Sequence, residues 1–259
     1  MREKPLSAAA FGQVRLKRQR ASLDWLLSCQ GEDAHLFACL LDNLSLEAGL
    51  HGARLISARA PHDSALYQFL RIAGYRPYSW ERLWQVNTEM KASSHAENSR
   101  WQTPMESDIP ALLQFQRAHL PPALRSVIPP ADEQMPEQIW KEDGRILAYV
   151  NQRSFAGRMV FTPLFDPALE SPLIALSCLV SATLTLFSSV YFLQTSGHDW
   201  LESRLESMAE PVLPRVECLV KHFTLTEKLP VSLVKRNAEN GQPDPVAPFL
   251  HSSKPEDTL

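Results

Sequence analysis

The sequence predicts an α/β protein of two lobes, with mixed central sheets flanked by helices. Three observations predict it: apolar residues alternate between strand and helix periods, the composition is that of a globular protein, and one order of elements occurs twice. The 259 residues are 44% apolar and 21% charged, with 26 Lys and Arg against 29 Asp and Glu, a net charge of −3. That balance excludes collagen-like, coiled-coil and wholly disordered chains. It also argues against a nucleic-acid partner, because meeting phosphate takes an excess of positive charge. Only 9 glycines stand beside 20 prolines, so a phosphate cradle of repeated glycines is not expected.

Residues 12–16 and 22–29 read as strands joined by a basic turn at 17–20. Over 35–48, Leu36, Phe37, Leu40, Leu41 and Leu44 share one helix face, and Gly49 or Gly52 can close it with a positive φ. A short strand at 53–60 ends at Pro61. Asp63 or Ser64 then caps a helix with Leu66, Phe69, Leu70 and Ala73 inward, stopped by Gly74 before an aromatic-rich strand at 76–86. Residues 89–105 are polar and lack either period, which makes them a linker between a first lobe, 1–88, and a second, 106–226.

In the second lobe, Ser107 or Asp108 caps a helix running to about Leu120. Residues 121–136, with five prolines, read as irregular. Strands follow at 145–150 and 158–165, then a helix opening at Ser171 and Pro172, a strand at 189–194, a helix at 199–209 and a last strand at 215–223. The tail 227–259 has a disordered composition. Residues 171–197 carry no charge, enough chain to cross a bilayer. Ser177, Ser181 and Thr185 nevertheless draw a polar stripe along one helix face, and Ser188 and Ser189 break the run, so a buried helix and a central strand are expected and no membrane.

The two element orders coincide at an offset of 136 residues. Segments 62–88 and 198–224 then agree at His62/His198, Asp63/Asp199, Ala73/Ala209, Glu81/Glu217, Leu83/Leu219 and Thr88/Thr224. Joined to the equal order of elements, these identities favour a duplicated lobe.

Strand, helix, strand, helix, Gly74-Tyr75 at the helix stop and a final strand resemble the C-terminal half of the GNAT acetyltransferase superfamily. Segments FGQVRL, AGLHGARLISA, AGYRPYSWERLW and LVKH resemble those of bacterial tandem GNAT proteins. The resemblance covers the second lobe from about Trp101 to Thr224, whereas the first has no room for its opening strand and helices. It implies a cytoplasmic, acyl-CoA-dependent N-acetyltransferase, with acetyl-CoA as cofactor and an amine as substrate. It places the cofactor where the strand at 22–29 splays from its neighbour, against backbone groups near Leu27, Ser28 and Gln30.

The motifs behind that chemistry depart from the family. Its pyrophosphate lies on backbone N–H groups of a [Gln/Arg]-x-x-Gly-x-[Gly/Ala] turn at a helix N-terminus. Here the first lobe offers Gln30, Gly31, Glu32, Asp33 and Ala34, and the second Asp166 to Pro172 without a glycine. Carboxylates in both would repel a phosphate. The family's general-acid tyrosine, four residues before the closing Gly, corresponds to Leu70 and Glu206. The alternative expectation is therefore a catalytically inactive GNAT-fold module that binds a small molecule or a protein, or pairs as a homodimer through a sheet edge.

The remaining polar residues have plain readings. Asp63 and Asp199 are N-caps and the histidines before them loop residues. Glu32, Asp33 and His35 form a capping cluster, not a metal site. The basic run Arg15, Lys17, Arg18 and Arg20 is a solvated turn or steers an anion such as a CoA 3′-phosphate. Tyr78, Trp80 and Trp84 share one strand face, in the core or along a cleft. Cys29, Cys39, Cys178 and Cys218 lack finger or disulfide spacing and read as buried thiols in a reducing cytosol.

Overall fold

The computed structural model describes residues 9–29, 33–87 and 100–223. These residues form one compact unit; of the segments expected as lobes, the first carries β1 (Ala10–Lys17), β2 (Arg20–Ser28), α1 (Ala34–Leu50), β3 (Leu55–Pro61), α2 (Ala65–Ile72) and β4 (Arg76–Val86). The second comprises β5 (Trp101–Gln102), α3 (Ile109–His119), α4 (Pro122–Arg125), β6 (Gln138–Glu142), β7 (Arg145–Phe155), β8 (Arg158–Phe165), α5 (Pro172–Thr183), β9 (Ser189–Thr195), α6 (Glu202–Leu205), β10 (Ala209–Pro211) and β11 (Val216–His222). Where separate sheets were expected, all strands join one mixed sheet in the order β1-β2-β3-β11-β4-β9-β8-β7-β6-β5, with β10 paired to β4.

The order follows from an exchange. β11, the last strand of the second lobe, lies antiparallel to β3, from Val216 opposite Pro61 to His222 opposite Leu55. β4, the last strand of the first, lies antiparallel to β9, from Glu81 opposite Thr195 to Gln85 opposite Tyr191. The two exchanged strands also pair with each other and form the seam of the sheet. Glu81 and Glu217, counterparts at the 136 offset, face Thr195 and Ala60. Those partners are one residue from being counterparts themselves.

Side chains follow the strands across the seam. Leu219 of β11 is buried with Leu41, Ile56, Leu70 and Tyr75 in the core of the first lobe. Trp84 of β4 is fully buried with Leu176, Phe161 and Phe192 in the second, where its indole N–H donates to Gln194 Oε1 at 2.8 Å. Each lobe thus completes the other's core by burying apolar surface.

Local chemistry fixes most ends as expected. Gly52 and Gly74 both take φ +88, and the Tyr75 amide returns to the Leu70 carbonyl in the manner of a left-handed helix stop. Asp108 accepts from the Met105 amide and pairs with Lys141 at 2.7 Å, an ion pair that lowers its pKa. Ser64 caps α2 by accepting from the Tyr67 amide, so the cap is Ser64 and not Asp63.

Elsewhere the structure departs from the expectations. The helix expected at 199–209 stops at Leu205, and Ala209–Pro211 forms β10 on β4 instead. Pro211 and Pro214 lack the N–H a continuous strand needs, which separates β10 from β11. The segment read as irregular contains α4, β6 follows directly after it, and the expected linker ends in β5. The tail 227–259 and linker residues 89–99 lie outside the described residues. No described helix is long and apolar enough to cross a membrane; the uncharged run is α5, buried along Ala175, Leu176, Leu179 and Val180, followed by β9.

Candidate functional site

Two parallel strand pairs part within the sheet, one in each lobe. β2 pairs with β3 only over Arg20–Ser22 against Leu55–Ser57, then the strands diverge. β8 pairs with β9 over Arg158–Phe161 against Ser189–Phe192 and likewise diverges. Each divergence leaves a V-shaped gap lined on one side by backbone groups that have no neighbouring strand.

The predicted residues lie on the first gap. The Cys29 amide donates to the Ala9 carbonyl, so the alternation of an antiparallel ladder turns the backbone of Leu27 toward β1 and that of Leu26 and Ser28 toward the gap. Leu27 faces Phe11 across the ladder, and its side chain is exposed. A bulge at Asp24 shifts the β1–β2 register at this point, bending β2 away from β3. Gln30 lies outside the described residues.

The second gap is bridged. The Phe165 amide, facing away from β7 because the next amide, Asp166, donates to Leu147, donates to His198 Nε2 at 3.3 Å. His198 is buried, and its carbonyl accepts from Gln194 Nε2 at 2.9 Å. Burial pushes its pKa down to about 4, with His119 adding to the effect. An acceptor Nε2 requires the neutral ring with hydrogen on Nδ1, and that Nδ1 is buried without a partner.

The helix that follows each gap differs from a phosphate nest. At α1 the Asp33 carboxylate accepts from the amides of His35 and Leu36, at 2.9 and 3.3 Å. Two of the orphan donors of the first turn are therefore satisfied internally, by a negative charge. At α5 Pro172 occupies the first turn and Ser171 makes no side-chain cap. Asp166, in the turn before it, accepts from Ala168 N and faces His119 at 3.7 Å and Arg145 at 4.0 Å. The residues present do not fit an acyl-CoA pyrophosphate at either helix.

The general-acid position is also empty of a phenol: Leu70 is fully buried and Glu206 is exposed. Tyr67 packs on the His62 ring at 4.8 Å. The aromatic row is structural, with Trp84 in the core, Tyr78 packed under the α3 side, and Trp80 covered by the Arg215 guanidinium at 4.0 Å. Cys178 and Cys218 are buried as expected, but Cys29 and Cys39 are exposed. Cys218 is pushed far up by burial, which keeps it a thiol. Among the described residues no three His, Cys, Asp or Glu side chains cluster as a metal site. Sequence reasoning missed the role of His198, which its identity with His62 concealed.

No family model matches the sequence, and no curated protein does. Solved structures do. A GCN5-related N-acetyltransferase from Sphaerobacter thermophilus superposes with a TM-score of 0.53 at 14% identity, over 83% of this chain and 76% of that one. A functionally unknown conserved protein from Staphylococcus epidermidis ATCC 12228 gives 0.54 at 10% identity, over 82% and 95%. At such identities the likeness establishes the fold, which is that of the GNAT N-acetyltransferases.

Proposed function

We propose that this chain is a GNAT-fold binding module for a small molecule, with its cleft between β2 and β3 of the first lobe and its second lobe as scaffold. The observation that carries this reading is the Asp33 carboxylate on the amides of His35 and Leu36, where a transferase holds a diphosphate. The His198 bridge supports the scaffold role of the second lobe. The lobes are read as copies of one ancestral lobe, working in a bacterial cytosol, with a second copy of the chain able to pair along the β1 edge beside the exposed Phe11, Trp25 and Leu27.

The test is calorimetric titration with acetyl-CoA at enzyme-like concentrations, about 1 μM to 1 mM. No saturable binding at the cleft is expected. Saturable binding there overturns the module reading in favour of acyl-CoA-dependent transfer to an amine, the second reading, which the divergence of β2 at the Asp24 bulge favours. Gln30→Ala should then weaken that binding.

A further inference from the structure

At the opposite end of β2 from the cleft lies a cavity of ≈ 570 Å³. Its wall holds Arg18 and Arg20 from the β1–β2 turn, Arg54 before β3, His222 at the end of β11, and Ser126 and Glu133 from the segment after α3. Three guanidinium groups thus line a wall that holds one carboxylate, and two of them pair with it. Glu133 Oε2 accepts from Arg20 at 2.6 Å and lies 3.6 Å from Arg18. Arg54 makes no ion pair among the described residues. Arg20 Nε is buried without a hydrogen-bond partner, a donor that ordinarily finds an acceptor.

The turn itself is unusual. Arg18 takes φ +55, at a hairpin position where glycine is usual. The corresponding turns of the second lobe place Asp143-Gly144 and Ala156-Gly157 in the left-handed region. Among the described residues only this turn puts a long cationic side chain there, at the wall of the cavity.

We propose that this cavity binds a small molecule through a phosphate group. A surplus of guanidinium over carboxylate matches the several acceptor oxygens of a phosphate, which arginine engages in forked pairs. The volume suits a small molecule. The site is separate from the cleft: Arg20 stands where β2 and β3 are still paired, and Ser28 is about 25 Å further along the strand at ~3.3 Å per residue.

The experiment titrates the full chain with inorganic phosphate, and separately with succinate, in a phosphate-free buffer of about 0.15 M salt. Saturable phosphate binding is expected, with succinate weaker. Arg18→Gly relieves the left-handed strain, so it should melt at a higher temperature and yet bind phosphate at least about tenfold more weakly. Glu133→Gln removes the competing carboxylate and should tighten binding. Absence of saturable phosphate binding below about 10 mM, unchanged affinity in Arg18→Gly, weaker binding in Glu133→Gln, or preference for succinate each overturns the proposal. Heat from acetyl-CoA that disappears in Arg18→Gly belongs to this cavity; heat that persists there belongs to the cleft and bears on the module reading instead.

Discussion

Phe165 donates its amide hydrogen to Nε2 of His198, and this bond ties the end of β8 to the turn that follows β9, across strands that have just parted. The counterpart histidine of the first lobe, His62, has the same Asp neighbour but does not enter its gap. Its side chain is 64% exposed, beside Tyr67 and 3.8 Å from Glu217. One dipeptide therefore closes one cleft and leaves the other.

The burial of His198 makes stability depend on pH. His198 titrates at about 4 in the folded chain against 6.5 unfolded, so between these values the unfolded state binds more protons. Stability is complete above pH 6.5 and falls as pH drops toward 4, by at most about 3 kcal/mol. Urea midpoints at pH 7 and pH 5 should differ more in the wild type than in His198→Gln; equal differences would remove the neutral bridge.

The strand exchange predicts that neither lobe folds alone. Residues 1–99 lack β11, and with it the Leu219 side chain at the centre of their core; residues 100–223 lack β4 and the fully buried Trp84. Large apolar residues removed from such positions cost about 2–5 kcal/mol each, a large share of a domain's net stability. Circular dichroism of the separate fragments should show no cooperative melt, and a sharp transition in either would mean that the exchange is dispensable.

What the sequence carried was local, and what it concealed was pairing. The helix over 35–48, the stop at Gly74 and the strand at 76–86 each follow from period and turn chemistry, and the structure has them. That β4 lies beside β9 and not β3 is invisible in Arg76–Val86, because a strand's residues report which face is covered and not which neighbours its backbone bonds. The prolines at 211 and 214 are legible as breaks in a strand, but nothing local in 199–209 shows that its last residue pairs with β4. The divergence after Ser22 was expected from resemblance; the Asp24 bulge that bends β2 has no composition signal.

Gly197 and Gly52 separate strain from collision. Both take positive φ, +92 and +88, but a Cβ on Gly197 would lie 2.7 Å from Pro121 Cγ, whereas nothing stands within 4 Å at Gly52. Gly52→Ala should cost only the left-handed penalty, about 1–2 kcal/mol. Gly197→Ala should exceed it by about 1–3 kcal/mol for overpacking, read as the difference between two urea midpoints. Equal losses would mean that the Pro121 loop moves aside freely.

Asp33 offers two roles that substitution can part. Asp33→Ala removes the acceptor of the His35 and Leu36 amides and should destabilise the chain by about 0.5–2 kcal/mol. Asp33→Asn keeps a capping oxygen and discards the charge, so most of that stability should remain, less the few tenths that a carboxylate gains at a helix N-terminus. If the carboxylate is what repels a diphosphate, Asp33→Asn is also the variant in which weak binding of inorganic pyrophosphate at α1 should first appear, in an Arg18→Gly background that silences the other cavity. A double variant as indifferent to pyrophosphate as Arg18→Gly alone would place the barrier in the shape of the turn, and its missing glycines, not in the charge of Asp33.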